Sequence, residues 1–416
     1  MSTKAKRLED DRTILIAALK QAVEAYRQRY PIPTLLGPGP TSEMLDDLGK
    51  AIERCNSYQV VAGKVLFNGI SGPIITSAFL APRLFDRLGR WNAQNKSEED
   101  FVGAADWLIR ILTTETTEGR FKVAVWGLSV DKDLTIARHS RIMPFDALAN
   151  TDMKRRILDR AKVGRGDVVW LSQNYYGIPS VAVETVVKDF PFIGADGACF
   201  ARIAELNMTT KKFWSFTQGA TVGRPLAMCS WFDYSDQDFE ISEWEKWADW
   251  LLPEMHPRIT SLVSVQASAI KNNWKDYLVL PGEMRSDLLR SIDRFLLSQC
   301  RQHAIDQVLD LALAFEIAVG GGRGDNAPAS WKVGVRSSQM IGGALAVRQT
   351  YREHLNGLYR FRSRATHGGR MDANERAQLE VIVNECSKIY VGLIQSFLRF
   401  RAKPDWREIE LEPTST

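Results

Sequence analysis

Arg362 and His367 stand five positions apart in the string LYRFRSRATHGG, residues 358–369, with Arg360 and Arg364 beside them and Gly368 and Gly369 behind. These are the residue types that cleave RNA without a metal. That reaction needs the ribose 2′-hydroxyl deprotonated, the charge on the pentacoordinate phosphorus stabilised and the leaving 5′-oxygen protonated. An imidazole titrates near neutral pH and can serve either proton transfer. A guanidinium stays cationic and grips phosphate oxygens through a planar fork, most strongly where charge develops. The spacing imposes a condition, because five positions on an ideal helix turn ~500° and leave the two side chains ~140° apart. They converge only if the helix loosens near Thr366, which the following glycines favour. His367 would then lie at a helix C-terminus, where the dipole favours imidazolium and so a proton donor. The competing reading is a solvated basic helix face, with His367 capping the last carbonyls.

The elements that would hold this pair are helical. After Pro281, EMRSDLLRSIDRFLLSQCRQ places Leu288, Leu289, Ile292, Phe295 and Leu296 on one stripe. AIDQVLDLALAFEIAV is more apolar and is expected deeper in the core. Glu316 lies within it, and a carboxylate among apolar residues needs a cationic partner; Arg362 and Arg336 are the two candidates. GGGRGDNAP breaks the helices, and its RGD reads as loop composition. WKVGVRSSQMIGGALAVRQTYREHLNGLYRFRSRAT reads as one or two further helices. Asp372 and Glu375 form a capping box opening a last helix, striped by Leu379, Ile382, Val383, Cys386, Ile389, Leu393 and Phe397.

Residues 280 to 400 resemble the HEPN superfamily, most closely its ApeA-like branch. The resemblance rests on Arg362, Ser363, Arg364, Ala365, Thr366, His367 and Gly368, which match that family's Arg, small polar residue, spacer and His. It rests also on Tyr359 just before the motif, on Arg336 in the helix upstream, and on the acidic apolar helix with Asp306 or Asp310 and Glu316. The resemblance implies an all-α helical bundle and a metal-independent endoribonuclease in which Arg362 and His367 are catalytic. Ser363, Arg364, Glu316, Asp310 and Tyr359 would support them, and Arg360 and Arg336 would hold substrate. One histidine does not easily act as both acid and base, and the family pairs two such domains around one cleft; a homodimer through this domain is therefore implied. It further implies tRNA or another structured RNA as substrate, 2′,3′-cyclic phosphate ends, and a role in bacterial defence against phage with a phage-derived or small-molecule trigger. A HEPN fold kept as a non-catalytic dimerisation or ligand-binding module is the alternative.

The chain has 416 residues and a net charge of +4, with 45% hydrophobic and 25% charged residues, which is ordinary for a globular protein of two or three domains. The charge is unevenly spread. From Arg336 to Arg407 there are 13 Lys or Arg against 6 Asp or Glu, an excess larger than that of the whole chain. A basic local field suits a polyanion such as RNA. The five cysteines are scattered and never form a CxxC pair, which speaks against a disulfide framework or zinc site and for a reducing compartment. The start, MSTKAKRLEDDR, is too charged for a signal peptide, and no apolar run approaches the ~18 residues of a membrane span. A cytoplasmic location, no membrane partner, no metal and no cofactor are therefore expected.

The expected architecture is α+β, with an N-terminal mixed region ahead of the all-α bundle. Residues 1–57 read as N-terminal helices, one over about 7–29, stopped by PIPTLLGPGP, and one from Thr41 or Ser42 to Cys55. Residues 58–275 read as an α+β domain with a sensing or regulatory role, and 276–405 as the HEPN nuclease domain. In the middle region YQVVAGKVLF, FKVAVWGLSV, LTIARHSRIM, DVVWLSQN and VAVETVVKDF read as strands. DFVGAADWLIRILTTE and NTDMKRRILDRAK read as helices. Trp244, Trp247 and Trp250 have the spacing of a core stripe rather than a base-stacking platform. His139 and His256 are expected to be structural or exposed, and His354 at the surface or lining the cleft.

Overall fold

The computed structural model describes residues 3–30, 40–67, 73–90, 98–163, 177–194, 198–241, 249–250, 261–320, 327–366 and 372–411. In chain order its elements are α1 (Thr3–Arg29), α2 (Ser42–Glu53), α3 (Asn56–Val61), β1 (Val65–Leu66), α4 (Ser77–Arg90), α5 (Glu98–Thr113), β2 (Thr116–Trp126), β3 (Leu128–Val130), β4 (Leu134–Ala137), β5 (Ser140–Pro144), α6 (Asp152–Val163), β6 (Val181–Pro191), β7 (Ile193–Gly194), α7 (Ala198–Thr217), β8 (Ala227–Tyr234), β9 (Asp249–Trp250) and β10 (Val263–Val265). Six helices follow: α8 (Ala267–Val279), α9 (Gly282–Cys300), α10 (Ala304–Val319), α11 (Ala329–Ile341), α12 (Leu345–Thr366) and α13 (Ala373–Phe400), with a short α14 (Trp406–Leu411) after them. The fold is mixed α+β. Six strands form one sheet in the order β4-β5-β6-β2-β8-β9; β1 pairs antiparallel with β7 and β3 parallel with β10. Among the described residues no helix is long and apolar enough to cross a membrane.

The chain divides into two compact units, each drawn from three stretches. The first comprises Met1–Lys122, Thr185–Leu206 and Trp231–Ala248; the second comprises Val123–Glu184, Asn207–Ser230 and Asp249–Thr416.

In the first unit α1, α2, α4 and α5 pack on one another. Asp11 of α1 is fully buried and accepts from the backbone N–H groups of Asn56 (2.7 Å) and Ser57 (2.9 Å). It thus caps α3 from another helix, satisfying donors that have no partner within α3. Lys122 and Asp233 form a 2.8 Å ion pair with side chains 1% and 2% exposed. Trp231 Nε1 donates to the same Asp233 oxygen at 2.9 Å.

The second unit holds the helical bundle. One continuous apolar core joins Phe216 of α7 and Tyr277 of α8 to Phe295 of α9, Phe315 of α10, Val333 of α11, Leu355 of α12, Tyr390 of α13 and Ile409 of α14. Polar contacts set its register: Ser291 of α9 donates to the Ala314 carbonyl of α10 (2.7 Å) and shares a hydrogen bond with the Tyr390 hydroxyl (2.5 Å). A π-helical turn, Gln218–Val222, continues α7. Its Gly219 lies against Ile292 of α9, where a Cβ would come within 2.7 Å of two side-chain carbons.

Several elements differ from the expectations drawn from the sequence. YQVVAGKVLF is helix α3 followed by the two-residue strand β1, because the distant Asp11 caps its start and overrides the β preference of Val60 and Val61. Helices α4 and α7 and the wholly buried strand β8 were not anticipated. Of the one or two helices expected before the capping box, two are present, α11 and α12. Gly342 and Gly343 separate them with φ of 81° and 93°, backbone that favours glycine. The box at Asp372 and Glu375 is formed in both directions. The strand expected at DVVWLSQN, the RGD loop, His256, Trp244 and Trp247 lie outside the described residues.

Candidate active site

Helix α12 carries the arginine motif and α10 the acidic residue, and the two helices pack within the bundle. On α12 the buried Leu355, Leu358 and Phe361 face the core. Tyr359 and Arg362, three positions apart, therefore share a neighbouring face at its margin. On α10 the buried Leu311, Ala312, Ala314 and Phe315 leave Glu316 at the edge of the core. The two margins meet. Arg362 Nη2 lies 3.0 Å from Glu316 Oε1 and 3.4 Å from Oε2, and the Tyr359 hydroxyl donates to Oε1 at 2.8 Å. The guanidinium carbon also sits 5.5 Å from the centroid of the Tyr359 ring.

Burial, then the neighbouring Glu316 carboxylate, push the Tyr359 phenol well above its ordinary range. It stays protonated and donates. Glu316 is thus doubly satisfied, by a neutral donor and by one nitrogen of Arg362. The pair is not enclosed: the side chains of Arg362 and Glu316 are 38% and 23% exposed. Only Nη2 of Arg362 touches Glu316 among the described residues, so the remaining N–H groups of the fork are available to an anion.

The segment that carries His367, residues 367–371, lies outside the described residues. Its two flanks are tied. Arg364 on the last turn of α12 forms an ion pair with Glu375 on the first turn of α13. The same Glu375 accepts from the Asp372 backbone N–H (3.1 Å), while Asp372 accepts from that of Glu375 (2.8 Å). Thr366 donates its hydroxyl back to the Arg362 and Ser363 carbonyls of its own helix, both at 2.9 Å.

The other candidates scatter. Ser363 and Arg360 are exposed, the latter with its guanidinium 5.2 Å from the Phe361 ring centroid. Asp310 is buried and pairs with Arg294 of α9 (3.3 Å) and with Arg301 just past the end of α9 (2.7 Å), one and a half turns from Glu316. Arg336 is only 4% exposed: it pairs with Glu410 of α14 at 2.7 Å, donates to the Val319 carbonyl at 2.9 Å and lies over Trp406. Of the two cations considered for Glu316, Arg362 takes the place. Arg336 instead anchors α14 to the end of α10.

His354 bonds through Nδ1 to the Thr350 carbonyl on its own helix, and His139 and His303 are exposed. Among the described residues no cluster of His, Cys, Asp and Glu is arranged to hold a metal. All five cysteines are buried and free. Reasoning from sequence did not find Glu375 as the partner of Arg364 or Glu410 as that of Arg336. The first was open to view as the capping-box residue across a short gap. Nothing local signals the second. No family model matches this chain, and no curated protein or solved structure is found to match it.

Proposed function

We propose that the helical bundle of the second unit is a metal-independent endoribonuclease of the HEPN type, acting on tRNA or another structured RNA in bacterial defence against phage. The observation that carries the reading is the Arg362–Glu316–Tyr359 cluster. It holds one edge of an arginine fork at a bundle margin, one turn before the segment containing His367. In this reading Glu316 and Tyr359 orient Arg362, the free edge of the fork binds the scissile phosphate, and His367 transfers the proton. Arg364 supports by holding the flanks of the His367 segment, and the exposed Arg360 contributes to the basic surface. The second proton-transfer group comes from the partner in a homodimer. The products are 2′,3′-cyclic phosphate ends.

A second reading, a HEPN-like bundle serving as a dimerisation or ligand-binding module, is favoured by one feature: Arg362 already has a carboxylate partner, as a purely structural ion pair would. RNA cleavage separates the two. The purified chain and its His367→Ala variant are incubated with structured RNA with and without EDTA, and total RNA is inspected after induced expression. Cleavage by the wild type in both buffers and none by the variant is expected. Intact RNA in vitro and in cells, or equal cutting by the variant, overturns the ribonuclease reading.

A further inference from the structure

The second unit contains a cleft of about 740 Å³ walled by the end of α7 with its π-helical turn, by α9 and by α10. Its lining is of two kinds. Met208, Met228, Leu289, Leu297, Leu313 and Ile317 are apolar; Lys211, Lys212, Arg290 and Arg294 are cationic, against one carboxylate, Asp293, among the described residues. We infer that this cleft binds an amphiphilic anion, an aliphatic chain ending in a carboxylate or phosphate.

The charge balance favours an anion. Lys211 and Lys212 are exposed and adjacent, and neither forms an ion pair among the described residues. Arg290 has only a 3.5 Å contact to the exposed Asp287. Arg294 reaches Asp310 at 3.3 Å, but that carboxylate is held more closely by Arg301, so one negative charge is shared between two guanidiniums. The lining favours a chain over a ring. Among the described residues it contains no aromatic side chain, and a nucleobase draws much of its affinity from stacking on one. Leucine, isoleucine and methionine offer instead the deformable apolar wall that suits an alkyl chain. The volume is that of a small-molecule site.

The wall is built to stay in place. Gln218 lines the cleft, yet its amide is spent on the π-helical turn: Nε2 donates to the Trp214 carbonyl at 3.0 Å and Oε1 accepts from the Leu226 N–H at 2.5 Å. π-helical turns recur beside functional sites. The inference stands independently of the ribonuclease reading.

Isothermal titration calorimetry on the full chain tests it. The probes are decanoate and decyl phosphate below their micellar concentrations, decyltrimethylammonium, inorganic phosphate and AMP, beside sedimentation with phosphatidylglycerol vesicles. Saturable binding of the two alkyl anions at one per chain is expected, with the alkyl cation and the chainless phosphate at least about tenfold weaker. Lys211→Glu with Lys212→Glu, both exposed and so harmless to folding, should weaken the alkyl anions by about tenfold or more. Ile317→Ala should weaken decanoate while leaving the thermal midpoint within a few degrees. The inference is overturned if AMP binds as well as decyl phosphate, if the alkyl cation binds as well as the anions, if vesicles but not monomeric anions are bound, or if the double variant binds like the wild type.

Discussion

At the scale of the residue, Glu316 is shared between a neutral donor and a cation, and the two contacts do different work. The pair with Arg362 is partly open to solvent, so its contribution to stability is small. Glu316→Ala should lower stability by about 1 kcal/mol, and Tyr359→Phe by a similar amount through the lost hydrogen bond. Denaturant melts of both variants check this. A loss of several kcal/mol would mean that the pair is closed off. Function should respond differently. On the ribonuclease proposal, Arg362→Ala and His367→Ala should each abolish RNA cleavage while leaving a folded chain, and Arg362→Lys should remove most of it, since an ammonium does not reproduce a forked contact. A fully active Arg362→Lys variant would reduce Arg362 to a point charge.

Tyr359 also sets a pH dependence. Its folded pKa is raised above the ordinary value near 10, first by burial and then by Glu316. Tyr390 and Tyr234 are raised too, again mainly by burial. A raised folded pKa means that the native state holds a proton that the unfolded chain releases above about pH 10. The stabilisation is therefore complete below pH 10 and falls as pH rises beyond it. Alkaline titration should show these tyrosines ionising only with loss of structure. Ten tyrosinates appearing while the native circular dichroism persists would contradict their burial.

At the scale of the element, close approaches decide more than helix propensity. The π-helical turn and α9 touch through Gly219, where an added Cβ would meet two carbons of the fully buried Ile292 at 2.7 Å. Those atoms lie near the backbone of a packed residue and have little room to move. Gly219→Ala should cost about 2 kcal/mol, and Ile292→Ala should no longer add its full cost on that background. Thermal melts of the single and double variants measure the coupling. Additive losses would place the two elements farther apart. The buried Lys122–Asp233 pair behaves analogously in the first unit. Lys122→Met strands a carboxylate and should cost about 3–5 kcal/mol, whereas Lys122→Met with Asp233→Leu should recover much of it. A double variant less stable than Lys122→Met would argue that Asp233 is valued for its bond from Trp231 instead.

At the scale of the whole molecule, if the chain binds RNA as proposed, the basic excess between Arg336 and Arg407 should make that binding fall steeply with salt. If two protomers complete one cleft, cleavage rate should follow dimer concentration, and mass photometry beside the rate measurement decides this. A fully active monomer would sink the shared cleft.

The features that the sequence determined by itself are local. Apolar stripes at helical spacing mark α9, α10 and α13. The capping box of α13 needs only residues three positions apart, and the glycines before α12 need only a backbone that other residues avoid. That Tyr359 and Arg362 share one helix face was equally legible, because a helix presents neighbours at three and four positions on one face. Partners were not. Glu316 meets Arg362 across 46 positions, Arg336 meets Glu410 across 74, and Lys122 meets Asp233 across 111. Asp11 turns a β-branched stretch into helix from 45 positions away. A carboxylate among apolar residues announces that it needs a cation, but desolvation sets the need without naming the partner. Which guanidinium arrives depends on how whole helices pack, and that packing, like the gathering of three separate stretches into each unit, was decided by the tertiary structure alone.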